Sequence, residues 1–140
     1  MRWTLLLLTS LTACSTTGQS REVLKDTLLE YSYGIRWGRQ DWVKPHLPKQ
    51  GPSFEPGAGL PGVQVITCEI ESVNILDDHR ADAVVRVEWY LTSQGNLRTS
   101  MLKQRWRWLD NRWEIYEQRS AEGAPFPPPG SRRAGLPPQG

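Results

Sequence analysis

The chain has 140 residues, with 17 Lys and Arg against 15 Asp and Glu, two Cys, two His and seven Trp. That length allows one small domain and excludes a two-domain enzyme carrying its own cofactor fold. With Arg2, Arg132, Arg133 and Glu122 set aside as terminal, 14 basic residues meet 14 acidic ones, and a neutral body is a poor electrostatic match for nucleic acid.

Met1-Arg2 gives a short positive start, and Trp3 to Leu11 is an apolar run with four consecutive leucines. As a helix it spans about 14 Å, far less than the ~30 Å hydrocarbon core of a bilayer. It therefore reads as an export signal rather than an anchor helix. Leu11-Thr12-Ala13-Cys14 follows, then a polar string from Ser15 to Ser20. This resembles a bacterial lipoprotein signal with its lipobox, in which small residues precede a cysteine that is acylated and becomes the new N-terminus. The resemblance implies removal of residues 1–13, lipidation of Cys14 with palmitate-type acyl chains and a linker over 14–19. Ser15, where an Asp would retain the protein in the inner membrane, implies an outer-membrane lipoprotein facing the periplasm. Cys68 then lacks an intrachain partner, which excludes a disulfide framework; its apolar setting predicts a buried, inert thiol.

The folded domain is expected over 20–119. Ser20 is a candidate helix cap, and Leu24, Leu28, Tyr31 and Ile35 make one apolar stripe, predicting a helix over 21–37 that Gly38 ends. A short second helix runs from Gln40 to about Lys44 and stops at Pro45 and Pro48. Residues 49–62 hold Pro52, Pro56, Pro61 and four glycines and read as an irregular loop. From Val63 the period changes to two, predicting strands over 63–76, 81–91, 97–109 and 112–118. Their apolar phases are Ile66, Cys68 and Ile70; Ala83, Val85, Val87, Trp89 and Leu91; Leu102, Trp106 and Trp108; and Trp113 with Ile115. Turn residues fall at Asp77-Asp78-His79, Gln94-Gly95-Asn96 and Asp110-Asn111. The expected fold is α+β, a helix pair packed on a curved four-stranded antiparallel meander. One sheet face is wet, pairing Glu69, Glu71 and Glu88 with Arg86, Lys103, Arg105 and Arg107; the other is dry and covered by the first helix. Residues 120–140 hold six prolines and read as a disordered tail, a solvated end or a dock for a Pro-binding partner.

Tyr31-Ser-Tyr-Gly-Ile-Arg-Trp-Gly-Arg-Gln-Asp-Trp42 is similar to the stretch joining the first two helices of nuclear transport factor 2-like (SnoaL-like) domains. Trp106-Arg-Trp-Leu-Asp-Asn-Arg-Trp-Glu-Ile115 is similar to their terminal hairpin. The resemblance implies a cone in which a bent sheet wraps helices around an apolar pocket; here the tryptophans either fill that space as core, or leave a more open pocket lined by Trp89, Trp106, Trp108, Tyr31 and Cys68. It also implies an exposed sheet face able to pair with a second copy. The family includes isomerases, dehydratases and non-catalytic binding modules, so the fold does not select the function. Catalytic members place a base or its partners in the region that is here the loop 48–62, whose one acid is Glu55, and no catalytic residue carries over.

The remaining chemistry is sparse. His46 and His79 are far apart, no Cys/His pair has ligand spacing, and Asp77-Asp78-His79 is explained as a solvated turn, so neither a metal nor another cofactor is expected. In Lys103-Gln-Arg-Trp-Arg-Trp108, strand alternation sends the arginines to one face and the tryptophans to the other, which does not suit base stacking. The sequence thus predicts a non-catalytic binding or assembly module, held at the membrane by its lipid, with a small apolar ligand or an envelope protein as partner and no nucleic acid. The rivals are a small isomerase or dehydratase using Asp41 or Glu55 at the cone mouth, and an envelope protein acting through its Pro-rich tail.

Overall fold

The computed structural model describes residues 17–131; the segment expected to be an export signal, Cys14 and residues 132–140 lie outside them. The elements are α1 (Thr17–Trp37), α2 (Gln40–Val43), a 3-10 turn (Lys44–His46), β1 (Val63–Asp77), β2 (Arg80–Leu91), β3 (Arg98–Leu109) and β4 (Arg112–Gly123). The strands form one antiparallel sheet in the order β1-β2-β3-β4, the expected α+β meander. Among the described residues no helix is long and apolar enough to cross a membrane.

The helical stripe does what its spacing predicts. Leu24, Leu28, Tyr31 and Ile35 are all buried, and they seat α1 against β1 and β4. The start differs from expectation: the helix begins at Thr17, inside the predicted linker. Ser20 is buried within it, its carbonyl accepting the indole N–H of Trp113 at 2.7 Å. Gly38, at φ +65°, ends α1. Gly34 lies where α2 crosses, and a Cβ there would stand 2.6 Å from Val43 Cγ2. The small residue in the aromatic stretch is therefore what lets α1 and α2 pack closely.

The inner sheet face carries Ala81, Ala83, Val85, Val87 and Trp89 of β2, Leu102 and Trp106 of β3, and Trp113 and Ile115 of β4, all buried. Asp110 and Asn111 turn the last hairpin with φ of 52° and 58°, as their tolerance of left-handed backbone allows. The phase expected for β1 needs correction. Pairing shifts between Val65 and Thr67 and between Ile70 and Ser72. Each bulge inserts a residue and moves its successors to the other face. Val65 and Cys68 are inside, whereas Ile66 is exposed. On the outer face Arg86 pairs with Glu69 and Glu71, Arg105 with Glu117, and Arg107 with Glu114. Glu88 instead accepts from the Thr67 hydroxyl at 3.3 Å.

The domain does not end at 119. β4 continues to Gly123, the Ala124 amide donates to Thr99 O at 3.0 Å, and Phe126 is buried in the core against Trp89, ring centroids 5.6 Å apart. Ser120 clasps this turn: its hydroxyl accepts from the Phe126 amide at 2.9 Å and donates to the Phe126 carbonyl at 3.1 Å. A proline-rich composition forbids a ladder or helix but not a packed coil. One aromatic residue with hydrogen-bonded neighbours holds 120–131 on the body, and only 132–140 of the expected tail lies outside the described residues.

Candidate functional site

Among the described residues two places gather side chains capable of binding or chemistry: the interior of the cone and a groove on its outside.

The interior carries four of the five side chains expected to line a pocket. Tyr31, Trp89, Trp106 and Cys68 are all buried, the first three fully. Tyr31 meets Trp106 edge to face at 5.2 Å. Trp108 differs: it is half-buried and packs edge-on against Trp113 at 5.7 Å. Tyr31 packs on Trp106, Trp89 on Phe126 and Trp108 on Trp113, so these rings are used in packing, as core tryptophans would be. The irregular loop helps close the space, with Pro56, Gly57, Ala58 and Leu60 all buried.

Polar groups inside the cone are bonded to one another. The Tyr31 hydroxyl donates to Gln118 Oε1 at 3.3 Å, and Gln104 Nε2 donates to the same oxygen at 3.0 Å. Trp106 Nε1 donates to Gln104 Oε1 at 3.1 Å, and Gln118 Nε2 donates to the Pro56 carbonyl at 3.1 Å. Trp89 Nε1 donates to Ser100 Oγ at 2.8 Å. Neither glutamine was singled out from the sequence. The available clue was phase: Gln104 stands between Leu102 and Trp106 on the inward face of β3, where a polar side chain requires a buried partner.

Burial raises the Tyr31 hydroxyl well above its usual range, and the carboxylate of Glu55 and Cys68 add to the shift. Burial also pushes the Cys68 thiol up to about 12, partly opposed by a hydrogen bond with Ser32. Neither is poised as a nucleophile near neutrality. For a thiol the raised value means that the folded state keeps a proton that the unfolded chain releases near 9, so stability falls as pH rises from 9 towards 12. In a Cys14→Ala chain, urea titrations should show this loss from about pH 9, at up to ~1.4 kcal/mol per pH unit. Cys68→Ala should remove it between about pH 9 and 10, before Tyr31 contributes; an unchanged slope would exclude Cys68 as its source.

Asp41 and Glu55, the acids expected at the cone mouth, are engaged locally. Arg39 grips Asp41 with two hydrogen bonds of 3.0 and 2.8 Å and holds its carboxyl below the ordinary range. Glu55 accepts from the Gly57 amide at 3.1 Å. His46 bonds Glu30 at 2.7 Å, and no group of three metal-binding side chains occurs among the described residues.

The outer groove lies between α1 and α2, about 420 Å³ in volume and lined by Asp26, Leu29, Glu30, Tyr33 and Trp42. Asp26, Glu30 and Tyr33 are spaced along one side of α1, and α2 brings Trp42 across from them. Arg39 lies over the Trp42 ring at 4.8 Å. The chain's own cations already engage part of this set, His46 at Glu30 and Arg39 at Trp42, so the groove suits an ammonium or guanidinium group chiefly through Asp26 and Tyr33. The basic-aromatic strand behaves as expected instead: Trp106 is inside while Arg105 and Arg107 lie outside on Glu117 and Glu114.

No protein-family profile matches the chain, and no curated protein matches its sequence. Solved structures do match its fold. A domain of unknown function with a cystatin-like fold from Nostoc punctiforme superposes with a TM-score of 0.55 at 13% identity, covering 76% of this chain and 78% of that one. A candidate scytalone dehydratase from Novosphingobium aromaticivorans gives 0.52 at 12% identity, covering 86% and 97%. An NTF2-like protein of unknown function from Shewanella baltica gives 0.48 at 11% identity, covering 77% and 98%. At these identities the likeness is one of fold.

Proposed function

We propose that the chain is a lipid-anchored module of the bacterial outer membrane that faces the periplasm and works by binding, without catalysis of its own. The carrying observation is the cone interior: Tyr31, Trp89 and Trp106 are fully buried against their neighbours, and their polar atoms are bonded within the fold. The lipobox-like Leu11-Thr12-Ala13-Cys14 supports the anchor, since each acyl CH₂ contributes about 0.8 kcal/mol to membrane affinity. The groove beside Asp26 and Tyr33 supports a surface-binding role, with a cationic side chain of an envelope protein as its complement.

Two measurements test this reading. Cys14→Ala should move the protein from the membrane fraction to the soluble periplasm and abolish labelling by fatty acid. A variant that stays lipid-labelled in the membrane would overturn the anchor. Native mass spectrometry of residues 17–131 purified from the host should give the bare chain or a dimer. A discrete added mass of a few hundred daltons would mean an occupied pocket, and would favour an enzyme of the isomerase or dehydratase kind.

A further inference from the structure

The domain has two unlike ends, and the N-terminus of α1 marks one of them. Arg21 Nε lies 3.0 Å from Asp78 Oδ1, tying the first turns of α1 to the β1–β2 turn. Trp113 is tied to Ser20, and the Trp108 amide donates to His79 O at 2.7 Å. The start of α1, the β1–β2 turn and the β3–β4 turn therefore share one end of the molecule.

That end gathers five exposed aliphatic side chains, whereas Trp37, Leu97 and Ile66 are exposed elsewhere on the surface. Val73, Ile75 and Leu76 run along the free edge strand β1, with Val23 on α1 and Leu109 at the β3–β4 turn, all 39–49% exposed. Val73 and Ile75 pair with Ala83 and Ala81 and share the inner face with them, yet the edge position leaves them uncovered. The acids in the adjoining turns are neutralised: Asp77 by Arg80 at 2.9 Å, Asp78 by Arg21, and Asp110 by Lys49 at 3.4 Å. Exposed aliphatic side chains among paired charges suit the headgroup boundary of an anionic bilayer, which repels uncompensated carboxylates.

The chain length selects the occupant. Only Ser15 and Thr16 separate Cys14 from the first residue of α1. Three Cα steps reach at most ~11 Å, so acyl chains on Cys14 would hold this end within the thickness of the headgroup layer. We infer that Val23, Val73, Ile75, Leu76 and Leu109 rest in the lipid surface. They would fix the domain upright, with the β2–β3 turn and the α1 C-terminus pointing into the periplasm. This rests on the lipid-anchor reading above and adds an orientation to it.

The test places a benzophenone amino acid at Leu76, at Leu109 and, as the opposite-end control, at Leu97, which is 62% exposed. Each is introduced into the full chain in its host envelope. After irradiation, intact masses should show phospholipid adducts at positions 76 and 109 and none at 97. Equal adduct levels at all three positions, no adduct at 76 and 109, or crosslinks there to protein or to a second copy in place of lipid would overturn the orientation. The same masses report acylation. An acylated chain without lipid adducts refutes the orientation and keeps the anchor, whereas a chain without acyl groups refutes both.

Discussion

A Phe126→Ala chain is expected to lose about 3–5 kcal/mol of unfolding free energy, the usual cost of removing a fully buried aromatic ring. The ring lies against Trp89 and over Gly57, where even a Cβ would collide with its edge. Its loss leaves a cavity beside Trp89, one of the three buried tryptophans of the core. The hydrogen bonds around it depend on the same turn: Ser120 with Phe126, Ala124 with Thr99, and Ser100 with the Ala124 carbonyl. A small domain has about 5–15 kcal/mol in total. A chain ending at residue 119 should therefore fail to fold, while one ending at 131 should keep the urea midpoint of the full soluble chain. Urea unfolding followed by tryptophan fluorescence distinguishes the two outcomes. A Phe126→Ala midpoint within error of the parent would mean that residues 120–131 are a solvated tail after all.

The contrast between β2 and the C-terminal segment shows what the sequence could reveal. In β2 the alternation from Ala81 to Trp89 is unbroken, and burial follows it residue by residue. The turn at Asp110-Asn111 and the α1 stripe were equally legible, because each depends on local geometry. In β1 three register shifts change the phase, and a bulge is set by how neighbouring strands match in length and twist rather than by the strand's own residues. Phe126 was hidden for a similar reason. Six prolines in 120–140 argue against a helix or ladder there, but the partner of a lone aromatic residue lies 37 positions away at Trp89. The pocket illustrates a third limit. Aromatic side chains on the inner face were readable, but whether they line a space or fill it depends on packing. Here the loop 48–62 and Phe126 contribute the atoms that fill it.

Gln118→Ala is the substitution expected to test that filled interior most severely. Gln118 is the junction of three elements: its side-chain oxygen receives Tyr31 from α1 and Gln104 from β3, and its nitrogen reaches Pro56 in the loop. Truncation leaves a hydroxyl, an amide and a carbonyl without their partner inside the protein, each costing ~1–3 kcal/mol. The expected total is about 3–9 kcal/mol. Tyr31→Phe removes one donor and leaves the Gln104 and Pro56 bonds intact, so about 1–1.5 kcal/mol is expected. In the double variant the two losses should not add, because the hydroxyl orphaned by Gln118→Ala is then absent. Strict additivity in urea titrations would show that the two side chains act independently. The same substitution bears on function. The Gln118–Pro56 bond holds the loop over the cone, so Gln118→Ala should also let water, or an added apolar compound, reach Tyr31 and Trp106. Binding that appears only in this variant would show that the fold retains a pocket and that this chain keeps it closed by filling it, leaving its outer surfaces to do the recognising.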